Sequence, residues 1–341
     1  MRELPLNLTG TKLTVIIIIA ILFFAPIVLS IPSQVQWVNV VQIAMIWVIM
    51  ACSYRLITMI GQLSLAHGAW MALGGYVTAI LSTTSGNLAN YGLNWWATVP
   101  IAIIVTGICA LPIGWLCLRV RGLYFIIMTF GVAQLVRTII TSWTGITGGA
   151  SGIENVPPPT LDSINFGQIG QLTGSTEFFY LIFAFMLIAL LILWRMESGR
   201  LIQITGQGIR QNESLASSVG IKVARYKVLS FTISAMFAGL CGSLIVGLSG
   251  SIAPLTYIEG LLPMVFCIGG GRELLIGPVI GALAFSGLPE LFSIPTGYEP
   301  IFFGAIFIFI ITILPGGLVS IPSILRRRFG KKEDVITSQW V

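Results

Sequence analysis

Charge is scarce in this sequence. Of 341 residues only 9% are charged, 56% are hydrophobic, and there is a single histidine. A soluble chain of that length needs far more charge to stay dispersed, so a water-soluble globular domain is excluded. Cysteine is also thin: Cys52, Cys109, Cys117, Cys241 and Cys267 show no CxxC spacing. A zinc site or a disulfide framework is therefore not expected, and small apolar packing residues are the reading left. No phosphate-binding loop of the Walker A kind is present, since the only Gly-Lys pair, Gly330–Lys331, lacks the upstream glycine spacing. The chain cannot bind ATP through that motif, and if transport is active its energy comes from elsewhere. One histidine and scattered acids do not supply the clustered groups of a membrane-embedded enzyme. Mid-span acid–base couples are almost absent too, which counts against an ion-coupled secondary transporter. No catalytic residue, metal site or cofactor is expected.

What the chain has in abundance is long apolar runs. A hydrocarbon core about 30 Å thick needs roughly 20 residues of helix to cross it. Ten candidate spans lie near 13–31, 37–56, 62–82, 96–118, 123–143, 178–196, 227–249, 257–270, 274–292 and 299–321. The expectation is an all-α membrane protein, a polytopic bundle of about ten helices in a single domain over 1–341. The first run is longer than a usual signal-peptide core and no A-x-A-like site follows it, so it reads as a span. The eighth is short and broken by Pro263 and by Gly269, Gly270 and Gly271. It reads as bent or re-entrant, because loosened backbone at membrane depth is tolerated only inside protein or along water.

Charge sorts by loop. On one side fall Arg2, Lys12, Arg55, Arg119, Arg121, the run from Arg195 to Lys227, Arg272 and the tail residues Arg326, Arg327, Arg328, Lys331 and Lys332. The opposite loops carry Glu154, Asp162, Glu177 and Glu299, with no Lys or Arg. Of 18 basic residues only Arg137 breaks the pattern. By the positive-inside rule both termini are cytoplasmic, and the tail 322–341 is a basic cytoplasmic segment at the membrane surface. The net charge of +6 is thus a topology signal and does not suggest nucleic-acid binding.

Small residues recur at three- and four-residue steps: Gly68, Ala72, Gly75 and Ala79; Ser234, Ala238 and Gly242; Gly277 and Gly281. Such stripes let helix backbones approach closely in lipid. Pro112 with Gly114, Pro263, Pro278, and Pro315 with Gly316 and Gly317 interrupt spans. Breaks of that kind mark transport paths, and they also occur without one.

The cytoplasmic segment 198–226 is polar, basic and too short for a domain. Residues 209–219 read as one short amphipathic helix, with Arg210, Glu213 and Ser217 on one side and Ile209, Leu215, Ala216 and Val219 elsewhere. Gly220 suits the left-handed stop after it. Such a helix is a docking element for a soluble partner; the bland alternative is a solvated linker.

Three groups of residues carry a family resemblance. They are Gly61-Gln-Leu-Ser-Leu-Ala-His67 with Gly74-Gly75-Tyr76; Leu118-Arg-Val-Arg-Gly-Leu-Tyr-Phe125 with Thr129 and Thr147-Gly-Gly-Ala-Ser-Gly152; and Ile209-Arg-Gln-Asn-Glu213 with Ala216, Gly220, Tyr226, Lys227, Gly239, Pro254 and Gly277-Pro278-Val-Ile-Gly281. Together they resemble the LivM-type permeases of branched-chain amino acid ABC importers, over roughly residues 40–320. The resemblance implies a subunit of the inner bacterial membrane, a second similar permease, two ATP-binding subunits on the cytoplasmic side and a substrate-binding protein outside. It implies branched-chain amino acids as cargo, with urea, short amides and other small amino acids or carboxylates as alternatives. Within 198–226 it makes Ile209, Arg210, Glu213, Ala216 and Gly220 the residues that couple to the ATPase.

Translocation-path candidates are Gln62, Ser64, His67, Thr129, Gln134 and Arg137. His67 has two readings, a proton relay or a neutral ring bonded to a neighbouring helix. Interhelical polar contacts are common in bundles, which favours the second. Arg137 has three: snorkelling to the outer interface, pairing with an outer acid such as Glu154, or binding a substrate carboxylate.

Overall fold

The computed structural model describes residues 35–83, 91–161, 164–165, 176–197, 200–254, 261–292 and 316–320, with 18, 20–23, 26, 298, 301, 304–306, 308–309 and 312. Much of the first and tenth expected spans, and the whole tail 322–341, lie outside the described residues. Within them the fold is nearly all helical. Five helices are long and apolar enough to cross a membrane: α1 (Val35–Met59), α3 (Trp95–Cys117), α4 (Leu123–Ser142), α6 (Thr176–Glu197) and α9 (Val223–Ser249). Between them come α2 (His67–Ser82), the short α5 (Thr144–Thr147), α7 (Arg200–Gln211) and α8 (Glu213–Ser218). A two-residue hairpin pairs β1 (Thr160–Leu161) with β2 (Ile164–Asn165), antiparallel. The chain continues as α10 (Leu261–Gly270), α11 (Ile276–Ser286), α12 (Leu288–Leu291) and a 3-10 turn at Leu318–Ser320.

Two helices are central. The most apolar stretches of α1 and α9 are 78% buried, against 33% in α3, 28% in α4 and 39% in α6. α9 is the axis. It runs parallel to α2, since His67 meets Ser234 near one end and Thr78 meets Ser243 farther along. It runs antiparallel to α3: Gly114 lies on Phe231, Gly107 on Met236, and Gly247 on Trp95. The expected small-residue stripes are the contact faces. A Cβ on Gly242 would strike the Met71 carbonyl and come 2.7 Å from Gly75 N, and beside the stripes one on Gly74 would strike the Gly239 backbone. Lipid supplies no hydrophobic drive between helices, so this close approach and the dispersion it allows hold the bundle together.

α3 runs unbroken through Pro100 and Pro112, so the interruption expected at Pro112 and Gly114 does not occur. A membrane helix tolerates proline when neighbouring groups satisfy the freed carbonyls, and here Gly114 leaves room for the Phe231 ring. The third expected span also starts late, at His67 rather than at 62. Three successive N–H groups there go to side chains instead of to helix carbonyls. Ser64 N donates to the Tyr54 hydroxyl (3.2 Å), Leu65 N to Thr129 Oγ1 (3.1 Å) and Ala66 N to Ser64 Oγ (3.2 Å). His67 is consequently the first residue of α2, not a turn and a half into it.

The expected eighth and ninth spans form a hairpin of two short helices, 10 residues in α10 and 11 in α11. At 1.5 Å per residue the described part of α10 covers about 15 Å, and α11 with α12 runs on as one apolar stretch, Ile276–Leu291, of about 24 Å. Gly271 turns between them with φ +117°. Gly270, Gly277 and Gly281 let the two backbones touch: a Cβ on Gly281 would sit 2.8 Å from Gly270 Cα. At the opposite end of the bundle, Ile153 and Ile252 pair their backbones in an isolated bridge, and Val156 N donates to Gly250 O (2.9 Å).

The α2–α3–α9 junction predicts a stability difference. A Cβ on Gly239 would lie 2.5 Å from Thr106 Oγ1, whereas one on Gly131 meets nothing within 4 Å. Gly239→Val should cost about 1–3 kcal/mol and lower the thermal midpoint of the detergent-solubilised chain. Gly131→Ala should change stability by no more than about 0.5 kcal/mol, and equal melting of the two variants would refute the packing assignment.

Candidate functional site

The short stretch between α1 and α2 builds a buried polar knot. Gln62 is 4% exposed, and Ser64, His67 and Thr129 are fully buried. Gln62 N donates to Ile57 O (3.2 Å), and Thr129 Oγ1 donates to Ile126 O (2.9 Å) while accepting from Leu65. The His67 ring stands edge-on to Tyr54, with centroids 4.9 Å apart. Its Nε2 lies 2.9 Å from Ser234 Oγ, and that hydroxyl donates to Ser53 O (2.5 Å). The one hydroxyl proton is thereby used, so His67 donates from Nε2 and its Nδ1 is a bare acceptor. Nδ1 and Gln62 Oε1 have no partner among the described residues. An imidazolium would bury a second N–H without an acceptor. The geometry thus fits the neutral, interhelical reading of His67.

Of the six path candidates, four meet in this knot. Gln134 and Arg137 do not. They lie five and eight residues beyond Thr129 on α4, about 8 and 12 Å along the axis, and both are half-buried. Among the described residues the Arg137 guanidinium makes no ion pair, and the expected partner Glu154 is exposed and unpaired with it.

The segment 198–226, expected to couple to an ATPase, differs from the single helix expected over 209–219. It breaks at Asn212, whose φ is −158° and whose side chain accepts from Leu215 N (3.1 Å). An asparagine that caps a new helix cannot also continue the old one, and the chain re-aims there. The segment ends at Gly220 with φ +88°. Its residues sort unexpectedly. Glu213 does not face outward: it pairs with Lys227, which is 2% exposed, and with Arg121 Nη2 at 2.8 Å. Arg210 Nη1 reaches Glu273 Oε1 at 3.1 Å. Ile209 and Ala216 are buried. What faces outward is Leu215, 65% exposed, and Val219, 75% exposed, among Ser214, Ser217 and Ser218.

A second ionic group was not anticipated. Arg55 is 6% exposed and pairs with Glu197, which is 8% exposed. Its Nε donates to Arg272 O (2.8 Å) and its Nη2 to Glu273 O (2.9 Å). The signal available in the sequence was the presence of Glu197, Glu213 and Glu273 in otherwise basic loops. All five ion pairs among the described residues use these three acids.

Ser234 is the hinge of the polar knot, because its hydroxyl serves two partners on two other segments. Ser234→Ala strands the His67 N–H and removes the second bond to the Ser53 carbonyl, which lies within α1. It should destabilise the solubilised chain by about 1–2 kcal/mol, read as a lower thermal midpoint; an unchanged midpoint would mean the contact contributes nothing.

Residues 36–311 match the family described as branched-chain amino acid transport system, permease component. The chain is 28% identical over 305 residues to the high-affinity branched-chain amino acid transport system permease protein LivM of Escherichia coli K12, covering 83% of this chain and 69% of that one. LivM of Salmonella typhimurium gives the same identity and coverage. LivH of Salmonella typhimurium, another permease protein of such a system, is 24% identical over 85% of this chain and 96% of its own. No solved structure matches. A match over 36–311 spans every long helix described above, and this chain belongs to the branched-chain amino acid transport system permease family.

Proposed function

We propose that this chain is the transmembrane permease subunit of an ATP-driven importer for branched-chain amino acids, in the inner membrane of a bacterium. The observation that carries the reading is the form of α8. It is a capped six-residue helix, latched to the bundle through Glu213 and presenting Leu215 and Val219 outward. A rigid stub with two exposed aliphatics suits insertion into an apolar cleft of a soluble partner, here an ATP-binding subunit. Two such subunits, a second homologous permease and an outer substrate-binding protein complete the assembly. Ten spans with both termini cytoplasmic remain the topology we favour. Support comes from the gathering of Arg55, Arg121, Arg210, Lys227 and Arg272 with their acids at one end of the bundle.

α3 and α4 carry many exposed apolar residues, among them Ile104, Ile108, Trp115, Tyr124, Ile127 and Leu135. That surface is suited to lipid and to a second permease. Gln62, Ser64, His67 and Thr129 line the inner part of the path in this reading, with Gln134 and Arg137 farther out along α4. The alternative within the class is the same architecture importing urea, short amides or other small amino acids or carboxylates. The ion-coupled alternative has less support, because the buried charges of Arg55 and Glu197 are already spent on each other.

Two measurements test the reading. In a cysteine-free background, Ser217→Cys should react with a membrane-impermeant maleimide only after permeabilisation, and Ser151→Cys in intact spheroplasts; the reverse pattern would invert the topology. The paired change Leu215→Asp with Val219→Asp touches only exposed positions. It should reduce co-purification of the ATP-binding subunits, and leucine uptake, by about ten-fold or more at unchanged membrane level. Full uptake by that variant would make 198–226 a linker only.

A further inference from the structure

We propose that Arg55 is a positioning residue for transport: it holds the turn between α10 and α11 where Glu273 can receive Arg210, so that motion of the coupling segment is delivered to the α10–α11 hairpin. The inference deepens the importer reading and rests on it.

Arg55 lies one turn before the end of α1 and faces inward. Its guanidinium is used in three directions at once, toward the Glu197 carboxylate, the Arg272 carbonyl and the Glu273 carbonyl. A planar fork satisfies such a set and a lysine ammonium does not. Glu197 is the last residue of α6, and α7 begins at Arg200. Arg55 therefore grips the start of the coupling segment with the same group that grips the hairpin turn. The second link is farther along that segment. Arg210, in the last turn of α7, pairs with the Glu273 side chain. α7 is seated there by Gly61, whose φ is +78° and where a Cβ would come 3.2 Å from Arg210 Cγ. Two tethers from 197–210 thus converge on residues 272 and 273.

The hairpin is built to receive that motion as one body. Its two helices touch backbone to backbone at Gly270, Gly277 and Gly281. Gly317, with φ +72°, closes on the same turn, a Cβ there lying 2.5 Å from Gly271 N. The Arg210–Glu273 pair, by contrast, is poorly suited to a stabilising role. The two side chains are 30% and 66% exposed, and exposed pairs add little to stability. Its geometry matters for where it connects.

The test is a charge exchange in the complete complex, reconstituted in proteoliposomes with the second permease, the ATP-binding subunits and the binding protein. Leucine accumulated and phosphate released are measured together. Arg210→Glu and Glu273→Arg should each lower leucine moved per ATP by about five-fold or more, and the double variant should recover most of it. Arg55→Lys keeps the charge beside Glu197 but lacks the fork, and should lower the same ratio without lowering the amount of complex purified. A merely structural role would change yield and leave the ratio alone. Unchanged ratios in the single variants, or a double variant no better than either, would overturn the proposal. A wild-type complex that assembles and hydrolyses ATP but moves no leucine would refute the choice of cargo instead. The exchange is then scored by ATP hydrolysis stimulated by the binding protein, lost in the single variants and regained in the double. Failure of the wild-type chain to bind the ATP-binding subunits would overturn both readings.

Discussion

The structure depends first on how closely α9 can approach its neighbours. Helices in a bilayer are not driven together by water, so attraction comes from contact, and contact is limited by side-chain bulk. Gly74, Gly239 and Gly242 remove that bulk where α2 meets α9, and Gly107 and Gly114 do so where α3 meets it. The polar contacts that α9 makes rely on that spacing. Ser234 can reach both His67 and Ser53 only because α9, α2 and α1 are that near.

Closeness also permits irregular backbone at depth. The Gln62–Ala66 stretch leaves helical geometry, yet its N–H groups find Tyr54, Ser64 and Thr129. The same holds at the turn after α10, where Arg55 takes two carbonyls. In lipid an unsatisfied backbone group is costly, and these departures from helix recruit Tyr54, Thr129 and Arg55 from other elements and Ser64 from within the stretch. Both places adjoin residues that enter the proposed transport path or its coupling.

The charged end shows a division of labour within a few residues. Glu213 and Arg210 tie the 198–226 segment inward, while Leu215 and Val219 face outward, where the proposed ATP-binding subunit would dock. A docking stub that was not latched would yield when pushed. The buried Arg55–Glu197 pair adds a fixed point where α6 gives way to the coupling segment, with backbone carbonyls supplying the compensation that a buried cation requires.

Composition, hydropathic runs and the sorting of Lys and Arg were enough for the class of protein, because they answer to the bilayer, which acts on each residue alone. The small-residue stripes were legible for the same reason: spacing along one helix places Gly75 or Gly242 on a face, whatever lies opposite. Gly220 and its left-handed turn were legible as local chemistry. The partners of those residues were not. That Glu213 would turn toward Lys227 and Arg121, that the helix expected over 209–219 would break at Asn212, and that Arg55 would meet residues more than two hundred positions away all depend on which helices lie side by side. The tertiary structure decided those pairings, since an ion pair or a cap is settled by the groups that arrive within about 3 Å of each other, and spacing along the chain does not specify that arrival.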